Sequence, residues 1–227
     1  MSVTQTAVQR LLADESGRRP RLDAQRNVER LVAAARVAVA EVGVDVTAHE
    51  IARRAGVGVG TFYRRVPSRE VLLEAVLSEV LGELVDKADR ALEHPDPWTA
   101  FCGFATDYVR LRTESCGIND ALGGDCALLL ERPFAELRIR MRKLVERAQE
   151  AGAMRADIAW EDLPFMLAAV ATVERTLGMR SDRGQWDRNL QIVLDGLRTD
   201  RPSPLPGVPP VPDGPRPSAA EPEPDSE

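Results

Sequence analysis

The chain has 227 residues, of which 44% are hydrophobic and 4% aromatic, and it carries a formal net charge of −6. A compact body of this length buries roughly 70–75% of the surface its unfolded chain exposes, so no disulfide or metal staple is needed, and the three cysteines (Cys102, Cys116, Cys126) lack a Cys-x-x-Cys pair and fit reduced thiols. No apolar run approaches the ~18 residues of a membrane span, and the first residues lack a signal-peptide core, which predicts a cytoplasmic protein with no membrane partner.

Residues 1–22 include Arg18, Arg19 and Arg21 and read as a flexible basic arm or a plain leader. Asp23 then caps a helix of about twenty residues in which Val28, Leu31, Val32, Ala35, Val39 and Val42 recur at helical spacing, ended by Gly43. Thr47-Ala48-His49-Glu50 is a capping box, in which Thr47 accepts from a backbone N–H and Glu50 reaches back to the Thr47 N–H. The short helix it opens closes at Ala55 and Gly56. A second short helix runs from Val59 to Val66 and stops at Pro67, which lacks a donor and disfavours helix in the residue before it. Ser68 caps a long fourth helix, whose apolar series Val71, Leu72, Ala75, Val76, Val80 and Leu84 continues toward Leu92 and connects head to body.

Asp96 and Pro97 place a cap before a proline at the first helical position and open a helix through Arg112. A weaker helix from Asn119 to Leu130 is interrupted by Gly123-Gly124. A strong one runs from Pro133 to Ala151, with Arg138, Arg140, Arg142, Lys143 and Arg147 on its outer side. Two more span Glu161 to Gly178 and Gly184 to Thr199. No segment alternates with a period of two, so the predicted fold is all-α. Past Arg201 the Pro-rich acidic stretch cannot bury enough apolar surface to order itself; it reads as a disordered tail, with a polyproline recognition site as the sharper alternative. The predicted division is an arm (1–22), a head (23–67), a helical body (68–200) and a tail (201–227).

The acidic total argues against nucleic acid only if charge is evenly spread. Between Arg18 and Glu70 eleven arginines face six acids, a local net of +5, whereas the tail from Arg201 carries two arginines and five acids, a local net of −3. A basic block on a helical pattern points toward a polyanion.

Two short helices around a tight Gly-bearing turn, Thr47 to Val66, have the punctuation of a helix-turn-helix, with Ile51, Ala52, Ala55, Val57 and Phe62 as a small core and Arg53, Arg54, Arg64 and Arg65 as outer cations. Gly56-x-Gly58-x-Gly60 follows a helix rather than a strand and lacks the Gly-Lys-Ser/Thr ending of a phosphate loop, which sets a nucleotide site aside. The run Ile51-Ala52-Arg53-Arg54-Ala55-Gly56-Val57-Gly58-Val59-Gly60-Thr61-Phe62-Tyr63-Arg64-Arg65-Val66-Pro67-Ser68-Arg69-Glu70 resembles the TetR family of one-component transcriptional regulators.

The resemblance implies a three-helix DNA-binding head joined by the long fourth helix to a ligand-binding and dimerisation body. It places Thr47, Thr61 and Tyr63 where the family hydrogen-bonds phosphates, Arg69 where a cation holds one, Arg64 and Arg65 near the backbone, and His49, Val59 and Gly60 where base edges are approached. Gly58 departs from the usual capping Ser and Val66 from the usual Phe. The family's last two helices form a dimer interface. Leu163, Met166, Leu167, Val170, Val173 and Leu177, with Trp186, Leu190, Val193, Leu194 and Leu197, give two stripes that fit either such an interface or ordinary core. Trp98, Phe101, Phe104, Tyr108, Phe134 and Phe165 are candidates for lining a small-molecule effector pocket, or are simply packed.

No cofactor or metal is expected: His49 and His94 are far apart, and no nucleophile-base set stands out, so an enzyme is not expected either. The expected function is a homodimeric repressor that binds a pseudo-palindromic double-stranded operator and responds to a small-molecule effector. The alternatives are an activator of the same fold, or a small-molecule or protein-interaction module with weakened DNA binding.

Overall fold

A computed structural model describes residues 6–13, 22–123, 128–170, 175–182, 184–198 and 202–211. In chain order the helices are α1 (Ala7–Ala13), α2 (Leu22–Val42), α3 (Ala48–Ala55), α4 (Val59–Arg65), α5 (Arg69–Leu92), α6 (Pro97–Glu114), α7 (Cys116–Gly123), α8 (Glu131–Glu150), α9 (Asp162–Val170) and α10 (Gln185–Leu197). The strands β1 (Arg175–Thr176) and β2 (Met179–Arg180) form one small antiparallel hairpin before α10. The fold is otherwise all-α, as expected.

Helix α5 organises the molecule. Its 24 residues span about 36 Å and serve two cores in succession. Leu72, Leu73, Val76, Leu77 and Leu81 belong to a core with α1, α2, α3, Phe62 of α4 and Ile118 of α7. One turn further on, Leu84, Val85 and Ala88 belong to a second core with α6, α8, α9 and α10. The hand-over between Leu81 and Leu84 on one rigid helix ties head to body.

Several boundaries differ from expectation for identifiable reasons. The arm is not wholly free: Thr6 and Gln9 form a reciprocal capping box, the Gln9 N–H donating to Thr6 Oγ1 at 3.2 Å and the Thr6 N–H to Gln9 Oε1 at 2.9 Å. The α1 helix it opens buries Ala7 and Leu11 in the first core, and the Ala7 N–H donates to Glu79 of α5 at 3.1 Å. Arg18, Arg19 and Arg21 lie outside the described residues.

The helix expected from Asn119 begins three residues earlier, because the Ser115 hydroxyl caps α7 by accepting from the Ile118 N–H. The helix expected from Pro133 begins at Glu131, with the proline in the first turn, where its missing N–H costs nothing. The helix expected to reach Gly178 gives way to the β1–β2 hairpin from Arg175 onward, α9 spanning Asp162–Val170 and residues 171–174 lying outside the described residues. Leu177 (φ 47°) and Gly178 (φ 75°) are both left-handed, as a type I′ hairpin turn between β1 and β2 requires. Val173 and Cys126 lie outside the described residues, as do residues 212–227; residues 202–211 carry neither helix nor strand, and the Ser203 carbonyl accepts from Arg155 at 2.9 Å.

Candidate nucleic-acid interface

The Thr47 hydroxyl caps α3 as expected, accepting from the Glu50 N–H at 3.2 Å from an extended backbone (φ −83°, ψ 154°). Its own O–H remains able to donate outward. Glu50 does other work: its carboxylate accepts from Arg53 at 2.7 and 2.8 Å and from Arg54 at 2.7 Å. Hydrogen bonds from Arg53, then Arg54, hold the Glu50 carboxyl far below the usual carboxylate range, at about 2. Arg54 also donates to Glu41 at 2.6 Å. Two of the head's outer cations are therefore matched by acids within the head.

Gly56 ends α3 in the left-handed region (φ 66°), and the Val57 N–H returns to the Ala52 carbonyl at 3.0 Å, so the chain turns within two residues. Helix α4 follows from Gly58, which offers no side-chain cap. Ile51, Ala52, Ala55 and Phe62 are buried and fix α4 against α3, while Val57 is half-buried. Phe62 is fully buried and meets the Tyr63 ring edge-on at 5.1 Å.

With Phe62 inward, the other side of α4 faces solvent. Val59, Gly60, Tyr63 and Arg64 are exposed there, with Thr47 and His49 exposed at the start of α3; Thr61 and Arg65 are half-buried. Arg64 donates to Thr61 Oγ1 at 3.0 Å, which orients the guanidinium and leaves its remaining donors available. Apart from its own stretch of helix, no heavy atom of the described residues lies within 4 Å of where a Cβ would stand on Gly60, so a flat wall is able to approach the backbone there.

Arg69 is placed differently from the rest. Its Nη1 donates to the Val44 carbonyl at 3.0 Å and the Val46 carbonyl at 3.2 Å, and its Nε to Glu70 at 2.9 Å. The guanidinium thus latches the start of α5 to the loop between α2 and α3. Beside it, Asp120 of α7 accepts from the Val44 N–H at 3.2 Å. Gly117 of α7 sits so close to α2 that a Cβ would overlap the Val39 side chain and stand 2.9 Å from its carbonyl oxygen. Neither Gly117 nor Asp120 stood out in the sequence; the only cue was a small residue inside an apolar turn.

Four of the body's six aromatic candidates share one core and two lie elsewhere. Phe101, Phe104 and Tyr108 are buried in the second core and Trp98 is half-buried against it, stacked on Phe101 at 5.8 Å with the Arg198 guanidinium over its ring at 5.6 Å. Phe134 packs on the first core instead. Phe165 is 65% exposed, because Leu163, Leu167 and Val170 take the inward side of α9. Between α6 and α7, Arg112 donates to Asn119 at 2.8 Å while its buried Nε has no partner among the described residues, and burial pushes the neighbouring Tyr108 hydroxyl above its ordinary range. Burial likewise raises the Cys102 thiol to about 11, which makes it an inert packing group.

The expected dimer stripes also turn inward. Leu163, Leu167, Val170, Leu190, Leu194 and Leu197 are buried within the protomer, and Met166, Trp186 and Val193 pack on the same core. Leu177 stands at the hairpin tip, 92% exposed. Among the described residues, the large apolar side chains that α9, the hairpin and α10 leave outside are Phe165, Leu177, Met179 and Ile192.

A short helix held at a fixed angle by Phe62, its polar and basic side left open, carried on a long helix into a separate helical body, defines a DNA-binding regulator of the helix-turn-helix class. Residues 31–76 match the family described as bacterial regulatory proteins, tetR family, and residues 96–199 match the C-terminal domain of SbtR-like transcriptional regulators. The TetR transcriptional regulator SCO0520 from Streptomyces coelicolor is 31% identical, covers 76% of this chain and 99% of its own, and superposes with a TM-score of 0.56. A TetR regulatory protein from Mycobacterium vanbaalenii is 32% identical over 78% of this chain and 98% of its own, with a TM-score of 0.53. FadR of Bacillus subtilis, solved with stearoyl-CoA, shares the fold alone, at 14% identity over 74% of this chain and 98% of its own and a TM-score of 0.57. No curated protein matches the chain at a significant level. The chain belongs to the TetR family and is a transcriptional regulator.

Proposed function

We propose that the protein is a ligand-responsive homodimeric repressor that binds a pseudo-palindromic operator through the outer side of α4 and the start of α3. The observation that carries this reading is the separation of roles within Val59–Arg65: Phe62 is buried, whereas Val59, Gly60, Tyr63 and Arg64 are exposed. Val59 and Gly60 are then apolar and close-approach elements for the groove, with His49 beside them. Thr47, Thr61 and Tyr63 supply neutral hydrogen bonds to phosphates, and Arg64 and Arg65 supply charge. Arg69 acts at one remove, by holding the loop that carries Thr47. A glycine cap at Gly58 costs only a few tenths of a kcal/mol relative to serine, too little to favour a DNA-silent module.

A single short helix reads few base pairs, so two heads about 34–36 Å apart are needed for specificity. Phe165, Met179 and Ile192 are the exposed apolar residues that such a pairing would cover. An effector in the body acts on the head only through a difference in affinity between two head spacings. Two connections are available for it: α5, which runs through both cores, and α7, whose Gly117 and Asp120 touch α2 and its following loop. The unpartnered Arg112 Nε at the α6–α7 join is a donor that an effector's oxygen would satisfy.

The test is a gel-shift titration on promoter DNA next to the protein's own gene, followed by transcription from that promoter with and without the protein. Salt-sensitive, sequence-selective retardation together with reduced transcript supports the reading. Absence of selective binding overturns the operator, and increased transcript overturns the repressor.

A further inference from the structure

A cavity of about 390 Å³ lies at the junction of α1, α4 and α5, on the first core and apart from the aromatic cluster of the body. That volume falls within the range of small-molecule sites, roughly 300–1,000 Å³. Its inner wall is apolar, formed by Leu11, Val66, Val71 and Ala75. Ser78, the one polar residue buried among the described residues, lines it too.

The rest of the lining has the opposite character. Tyr63 and Arg64 of α4 are exposed, Arg65 of α4 and Arg10 of α1 are half-buried, and all four line the cavity. The single acid in the lining, Glu74, is engaged by the Leu129 N–H, which donates to its Oε1 at 2.9 Å. Arg10 and Arg64, neither of which closes on an acid among the described residues, face the single charged carboxylate of Glu74, so the lining carries an excess of positive charge suited to an oxyanion.

We infer that this cavity is a second ligand site, taking a small amphipathic oxyanion: a carboxylate or phosphate monoester carried on an apolar ring or short chain. The oxyanion sits among Arg10, Arg64 and Arg65, the apolar part lies on Leu11, Val71 and Ala75, and Ser78 offers a hydroxyl at depth. Tyr63, Arg64 and Arg65 also belong to the DNA-facing end of α4, so the occupant and a DNA phosphate draw on the same donors. Such a ligand would release DNA by direct competition, without a signal travelling from the body.

The full-length protein, free of DNA, is titrated calorimetrically with 1-naphthoate, 1-naphthyl phosphate and the neutral 1-naphthamide. At least one anion is expected to bind once per chain and about tenfold more tightly than the amide, the two anion arms separating a carboxylate preference from a phosphate preference. Arg10→Gln, at the surface of α1, is expected to weaken that anion about tenfold while leaving the fold intact, and Ser78→Leu, which fills the cavity from within, to abolish binding. Failure of both anions to bind more tightly than the amide overturns the site. So does equal binding by wild type, Arg10→Gln and Ser78→Leu, which places the anion elsewhere. Because no DNA is present, failure here is separate from failure of the operator reading.

Discussion

Arg69 and Arg64 are both arginines of the DNA-binding head, but the structure gives them different work, and salt dependence separates the two. Each phosphate neutralised by a side chain contributes about −0.9 to the slope of log K against log salt. In a dimer one substitution removes two such contacts, so Arg64→Ala is expected to flatten the slope by about 1.8. Between 50 and 200 mM salt the wild type then loses about tenfold more affinity than the variant does. Arg69 donates to two backbone carbonyls, Val44 at 3.0 Å and Val46 at 3.2 Å, with its side chain 29% exposed. Losing that charged donor costs about 1–2 kcal/mol, toward the low end for bonds to charged groups because the site is partly solvated. At this chain length that lowers Tm by about 2–8 °C. Arg69→Ala should therefore lower Tm with the salt slope unchanged. Arg69→Lys should not rescue it, since an ammonium keeps the charge but loses the planar fork that reaches both carbonyls. Thermal unfolding combined with filter binding at four salt concentrations decides the matter. An Arg69→Ala slope flattened by about 1.8 with Tm unchanged would refute the latch and return Arg69 to the phosphate set.

Four further outcomes are expected. Gly60→Ala meets open space in the free protein and gains helix propensity, so Tm should rise by an amount corresponding to about 0.5–1 kcal/mol while operator affinity drops by about 1–3 kcal/mol; unchanged affinity would remove Gly60 from the interface. Gly117→Ala drives a methyl into Val39 and should destabilise by about 1–3 kcal/mol in denaturant titration, a neutral result refuting the α7–α2 contact. Phe165→Glu with Ile192→Glu alters only exposed residues, and because like charges facing each other cost several kcal/mol, sedimentation should show a folded monomer; an unchanged dimer would place the interface elsewhere. The Glu50 carboxyl, depressed to about 2, should titrate near that pH in carbon-detected NMR. Its contribution to stability is complete above about pH 4.5 and is lost as pH falls through about 2, and a midpoint near 4.5 would refute the Arg53–Arg54 pairing.

The head was legible because its signals are local. A threonine cap, a glycine in the left-handed region and a proline stop each act within four residues, and Phe62 is the only aromatic in α4 whose spacing places it with Ile51 and Ala55. The body was less legible because its helices share one hydrophobic period whether they face their own protomer or another. Leu163, Leu167 and Val170 lie at i, i+4 and i+7, the inward series, and Phe165, two positions on from Leu163, necessarily points away. That spacing is present in the sequence and sets Phe165 apart from the buried aromatics of α6. The α1 helix had a local signal as well, Thr6 with Gln9, but seven residues form a stable helix only when something buries them, and the surface that does so is on α5, more than sixty residues away.

Charge is where sequence and structure part most sharply. Counting the head's arginines gives a local excess that points to DNA, yet Arg53 and Arg54 close on Glu50 and Glu41, Arg36 closes on Glu83 at 2.6 Å, and Arg69 closes on two carbonyls. Exposed pairs of this kind contribute little to stability, but they set where positive potential survives. Arg64 escapes such neutralisation, since its guanidinium donates to the neutral Thr61 hydroxyl, and it stands at the junction of the recognition surface and the cavity beside α1. A side chain whose charge is left uncompensated at that junction is available to whichever oxyanion arrives, a DNA phosphate or a small ligand. The competition between those two follows from placement, because Arg64 lines the cavity and also belongs to the exposed side of α4.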